Sequence, residues 1–247
     1  MISNELTKTV LYLDGLRYSI SMADIAARRL RLTLDEVAAL HAAKKETEEQ
    51  IVSALLDAWS LIDMCHRARE LVQQTPGLSH KLPGTQTFLR NTSHIEKLRH
   101  YVQHFRSEIP DIPSSWTPLW GALCWIPSHE PTTCYVIFSG NLVEGLQTPS
   151  IAYDTDELRF ASEIVLYAGT AQADLLSVAN DMRKVANCLV SWIDEHPKFN
   201  RADFNTRIWS VSMVPQFKTD LSTRLSDAMS IPRVLTSDQD KNSCKQS

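Results

Sequence analysis

TEEQIVSALLDAWSLIDMCHRARELVQQTPG, residues 47–77, decides how this chain must be read. Within it Ile51, Leu55, Ala58, Ile62 and Cys65 recur at steps of four, three, four and three, the period of an α-helix with one buried face. Thr47-Glu48-Glu49-Gln50 has the spacing of a capping box, which predicts the helix start. Thr75-Pro76-Gly77 predicts its stop, because proline removes a donor and glycine turns left-handed at little steric cost. The next segment carries Ile95, Leu98, Val102, Phe105 and Ile109 at steps of three, four, three and four, which predicts one helix over about 84–108. Two helices joined by a short loop pack antiparallel.

Working outward from this pair, Val10, Leu13, Ile20, Ile25 and Leu30 predict one or two short helices before residue 32, and Thr33-Leu34-Asp35-Glu36 predicts a fresh helix start at Thr33. Residues 118–127 (PLWGALCWIP), 132–138 (TTCYVIF) and 162–168 (SEIVLYA) are aromatic and β-branched runs bounded by turn formers, so they read as strands, with Ser139-Gly140-Asn141 as a turn. A last helix is expected over about 171–195, with Leu175, Ala179, Met182, Ala186, Leu189 and Ile193 on one stripe. The fold class is α+β, mainly α. Its expected parts are an N-terminal helical segment (1–45), a bundle (46–110 and 171–196), a small, mostly antiparallel β insertion (111–170), and an extension (197–247) ending in a disordered tail.

Composition narrows the function classes. With 25 Lys and Arg against 29 Asp and Glu the net charge is −4, so any nucleic-acid contact is local and does not come from a molecule-wide basic field. Five scattered cysteines read as reduced thiols, and the N-terminus lacks the pattern of a signal peptide, so a soluble cytoplasmic protein without membrane contact is expected. Seven glycines and no phosphate-cradling loop speak against a nucleotide-binding fold. Cys124, His129 and Cys134 have no apparent fourth ligand and read as apolar strand residues, so no metal and no cofactor are expected. Asp154, Asp156 and Glu157 form an acidic turn without calcium-loop spacing. Trp59, Trp116, Trp120, Trp125 and Trp192 sit among apolar neighbours and read as core.

The chemistry-bearing stretch is LRNTSHIEKLRHYVQHFRSEIP, residues 89–110, with three of the eight histidines and three arginines. On a helical wheel Glu96, His100, Gln103, His104 and Ser107 fall opposite the apolar stripe and Arg99 at its flank. Arg90, Asn91 and His94 read as helix surface. Arg99-His100-Tyr101-Val102-Gln103-His104, an Arg-x4-His with a polar residue after Arg, resembles the motif of the HEPN domains, which are helical bundles. The resemblance spans residues 46–110, with 171–196 as the closing helix.

It implies RNA cleavage without metal, in a stress, toxin or defence setting that admits a protein inhibitor. His104 would assist proton transfer at the 2′-hydroxyl, and Arg99 would stabilise charge developing on the phosphate. His100, Gln103, Arg106, Asp63, His66 and Arg67 would form the surrounding shell or contact RNA. Side chains five apart on a straight helix diverge by about 140°, so one chain does not easily bring both groups to one phosphate, and a homodimer with a composite site is expected. Two alternatives stand beside it: a catalytically silent dimeric protein-interaction module, in which these side chains are a solvated face and surface ion pairs, and a small-molecule site between bundle and sheet.

Overall fold

In a computed structural model the described residues are 4–78, 82–108, 119–138 and 149–196. The expected turn at 139–141, Trp116, Ile109 and the C-terminal extension lie outside them. The protein is mainly helical with a small antiparallel sheet, as the patterning predicts.

The region before residue 45 is one helix, α1 (Asn4–Ala42), and not a series of short ones. Gly15 does not interrupt it. A Cβ there would stand 3.4 Å from Leu71 Cδ1, so glycine sits where α1 approaches the next helix. The helix also runs through Thr33, correcting the predicted start. Its buried stripe Leu13, Leu16, Ile20, Ala23, Ala27, Leu30, Leu34 and Val37 continues unbroken past that point, and burial outweighs a local capping signal. Ile25 is exposed, against expectation.

Helix α2 (Glu48–Gln74) starts and stops where predicted. The Thr47 side chain makes no capping bond, while at the other end Thr75 Oγ1 donates to the Leu71 carbonyl and Gly77 takes φ +76°. Gly15 lies against Leu71, Arg29 against Asp57 and Glu36 against Gln50, so α1 and α2 form an antiparallel hairpin.

The expected helix over 84–108 is three pieces, α3 (Pro83–Asn91), α4 (Ile95–Gln103) and α5 (Phe105–Glu108). Buried Arg69 of α2 explains the first break. Its Nη1 donates to the Leu89 carbonyl at 2.6 Å and to Thr92 Oγ1 at 2.8 Å, and its Nε to Glu96 Oε1 at 2.9 Å. Thr92 Oγ1 in turn donates to the Phe88 carbonyl, satisfying groups that the end of α3 leaves open. Arg99 meets Asp63 and Glu96 meets Arg69, so α4 runs antiparallel to α2 as predicted.

Strands β1 (Ala122–Trp125), β2 (Tyr135–Phe138), β5 (Ile164–Ala168) and β6 (Ala171–Asp174) form one antiparallel sheet in the order β2-β1-β5-β6. A separate hairpin pairs β3 (Tyr153–Asp154) with β4 (Arg159–Phe160). Residues 171–174, expected as a helix start, are therefore a strand, paired back onto β5 through a turn at Gly169. The last helix, α6 (Leu175–Asp194), begins after them, with Asp174 accepting from Ser177 N at 2.9 Å as its N-cap.

Leu123, Trp125, Ile164 and Leu166 pack into the helical core. Cys124, Ile126 and Val165 face the other way, into a smaller apolar cluster with Ile151 and Phe160. The sheet is thus covered on both sides. The far half of α1 is tied to it, with Arg31 donating to the Ile126 carbonyl at 2.9 Å and ion-paired with Glu163, and Asp35 accepting from Ser128 N at 2.9 Å.

Candidate functional site

The Arg-x4-His segment falls at the C-terminal half of α4 and the turn that ends it. Arg99 and His100 are helical, and His104 is the residue that caps the helix. Buried Ile95, Leu98 and Tyr101 hold this helix on the core, which sets the direction of every other side chain on it.

Arg99 points along α4's flank to α2. Its Nε lies 2.8 Å from Asp63 Oδ1, at ion-pair distance though off hydrogen-bond alignment. Arg67 Nε donates to the other carboxylate oxygen, Asp63 Oδ2, also at 2.8 Å. With the Gln103 carboxamide turned so that its oxygen faces the guanidinium, it accepts from Arg99 Nη1 at 3.0 Å and Nη2 at 2.8 Å. One carboxylate therefore serves two guanidinium groups.

His100 and His104 are exposed and stack on each other, with ring centroids 4.3 Å apart at 41°. Arg106 is exposed on α5. Of the expected shell, the structure brings Asp63, Arg67, Gln103 and Arg99 into one cluster. His66 belongs to a separate one, with Nδ1 2.9 Å from Glu96 Oε2 and Nε2 3.5 Å from Glu70 Oε1. Glu96, expected on the outer face, turns to α2 through Arg69 and His66.

Arg90 and Asn91 are exposed, as expected, whereas His94 is not plain surface. Asn91 Nδ2 donates to Asp181 of α6 at 3.0 Å, and His94 is half-buried, which pushes its imidazole toward the neutral form.

Between α2 and α4, beside the Asp63–Arg99 pair, lies a cavity of about 260 Å³ lined mainly by Leu56, Trp59, Ile62, Met64 and Val102. Periodicity missed it, because its floor is shared by two helices. It falls below the roughly 300–1,000 Å³ of a usual small-molecule pocket and lies within the bundle, not between bundle and sheet. Trp59, Trp125 and Trp192 are core as expected, but Trp120 is half-exposed, edge-on to Phe105 at 4.9 Å.

Burial pushes the Cys65 and Cys124 thiols up to about 12, so neither is a ready nucleophile. Among the described residues no group of three His, Cys, Asp or Glu is placed to hold a metal ion, and no helix is long and apolar enough to cross a membrane.

Compared with known protein families, curated proteins and solved structures, the chain matches none.

Proposed function

We propose that the outer face of α2 and α4 is a phosphodiester-binding site of a HEPN-like, metal-independent endoribonuclease or RNA-binding effector. The observation that carries this reading is the sharing of Asp63 by Arg67 and Arg99, which sets two guanidinium groups on the α2–α4 face whose α4 also bears an exposed imidazole pair. Guanidinium forks bind phosphate oxygens bidentately, and imidazole is the side chain suited to moving a proton at a 2′-hydroxyl near neutral pH.

Arg99 leans on α2 while His104 stacks on His100, so a second copy supplies the partner group and the site is composite. No cofactor enters this chemistry. An RNA target in a stress or defence setting places the protein in the cytoplasm, with a protein inhibitor as a natural further partner.

The test is incubation of the full chain with structured RNA in EDTA. Cleavage leaving 2′,3′-cyclic phosphate ends is expected, with His104→Ala slowing it at least about 100-fold, the usual scale for a lost general acid or base, at unchanged circular dichroism. No cleavage, or cleavage indifferent to His104, overturns the reading.

A second reading, the catalytically silent dimeric interaction module, is favoured by a specific observation: Asp63 and Gln103 already occupy the Arg99 guanidinium. On that reading Arg99 is a clamp between helices. Arg99→Ala then lowers the urea midpoint of a protein that leaves RNA intact.

A further inference from the structure

Helices α1 and α6 meet along a groove of about 500 Å³, inside the roughly 300–1,000 Å³ of usual small-molecule sites. Ile20 and Ala186 give it an apolar lining, while Ser21, Asp24 and Arg28 of α1 and Arg183 and Asn187 of α6 give it polar groups. Helical period puts them there. Ser21, Asp24 and Arg28 are spaced by three and four residues, and Arg183 and Asn187 by four, so each set shares one face of its helix. The charges on this lining are one carboxylate and two guanidinium groups.

Asp24 fixes both arginines. Arg183 Nε donates to its Oδ1 at 2.7 Å, and Arg28 Nε stands 3.1 Å from its Oδ2. Two guanidinium groups held on the two oxygens of one carboxylate are close neighbours, one from each wall of the groove. Both turn Nε toward Asp24, and Arg183 also gives Nη1 to Asn180 Oδ1 at 2.8 Å. Among the described residues the Arg28 Nη atoms and Arg183 Nη2 donate to no acceptor, and the Ser21 hydroxyl and Asn187 carboxamide have no partner. Side-chain exposures of 66% for Arg28 and 47% for Arg183 leave those donors reachable from solvent.

We propose that this groove binds a small organic phosphate monoester, with the phosphate on the Nη groups of Arg28 and Arg183 and the organic body along Ile20 and Ala186. A carboxylate ligand is saturated by one guanidinium fork, whereas a phosphate monoester carries three terminal oxygens and can take two. Asp24 is a positioning residue, since it holds the arginines and does not touch the ligand. Ser21 and Asn187 serve hydroxyl or amide groups of the body. This goes beyond the α2–α4 reading, because the groove lies between other helices and uses none of the residues of that site.

The experiment titrates the full chain with naphthyl phosphate by calorimetry at about pH 7.5, where a phosphate monoester is close to doubly charged. One saturable site per chain is expected, at least about tenfold tighter than for inorganic phosphate or naphthol alone, because neither offers both head and body. Arg28→Ala, at a residue whose partner Asp24 lies on its own helix, weakens the ester at least about tenfold, the scale of one lost charge-assisted hydrogen bond. Ser21→Trp fills the groove with its charges left in place, and it abolishes binding at unchanged circular dichroism. No saturable binding, equal affinity for inorganic phosphate, or an affinity that ignores Arg28→Ala or Ser21→Trp overturns the inference. The two proposals fail separately: ester binding by a protein that leaves RNA intact sinks only the nuclease, and RNA cleavage by a protein that ignores naphthyl phosphate sinks only the groove.

Discussion

Arg69 shows how one side chain can set a local fold. Its guanidinium is buried, yet each edge of the fork has an acceptor: the Leu89 carbonyl, the Thr92 hydroxyl and the Glu96 carboxylate. Removing it takes the donor from the Leu89 carbonyl and from buried Thr92, and half of the Glu96 contacts. Arg69→Ala is expected to cost about 3 kcal/mol, the scale of a buried charged network losing one member, measured as a drop in the urea midpoint. Asp57 is the opposite case. It is buried against α1 with Arg29 at 3.2 Å, and burial raises its pKa above the ordinary carboxyl value, with Arg29 offsetting only part of the shift. The folded chain then holds the Asp57 proton more tightly than the unfolded one, so this group's contribution is full at low pH and is lost as pH rises through the folded pKa. Asp57→Asn should raise the urea midpoint at pH 7, and the gain should shrink on acidification below about pH 4, where the wild-type carboxyl is protonated in both states. A midpoint lowered equally at both pH values would show that the carboxylate is a net stabiliser.

At the level of elements, the sheet depends on one backbone position. Gly121, just ahead of β1, has φ +83°, and a Cβ there would lie 2.3 Å from the Tyr167 carbonyl oxygen of β5. Gly121→Ala combines left-handed strain with a clash against backbone and should cost about 3 kcal/mol or more, visible as a lowered Tm. That glycine stood in the sequence beside a readable strand, but nothing there announced its role, because the oxygen it avoids is 46 residues away.

The same reason separates what the sequence disclosed from what it withheld. Helix α2 was legible because the period of Ala58, Ile62 and Cys65 and the stop at Pro76-Gly77 are local signals. The break after Asn91 was not, because no glycine or proline marks it and the apolar stripe continues through it. Its cause is Arg69, on another helix. Ala171-Gln172-Ala173 are good helix formers that became a strand because β5 offered an open edge. For the candidate site, Arg99, Gln103, Asp63 and Arg67 were named from the sequence and the structure brings them together, whereas the apolar cavity beside them needed the packed helices.

Across the whole molecule, α1 is the longest-range connector. It lies against α2 from Gly15 at Leu71 to Glu36 at Gln50, and its far half is also bonded to residues around 126 and 163 in the sheet. Those contacts join positions 95 and 132 residues apart. Because Arg31 and Asp35 are made early and their sheet partners late, a ribosome working at about 5–20 residues per second leaves this helix waiting roughly 10 s for them. Throughout that interval the far end of α1, though already paired with α2, lacks its sheet partners. A nascent chain built this way is a natural client for holding factors until β5 emerges, and its yield in cells should depend on elongation speed between codons 35 and 165.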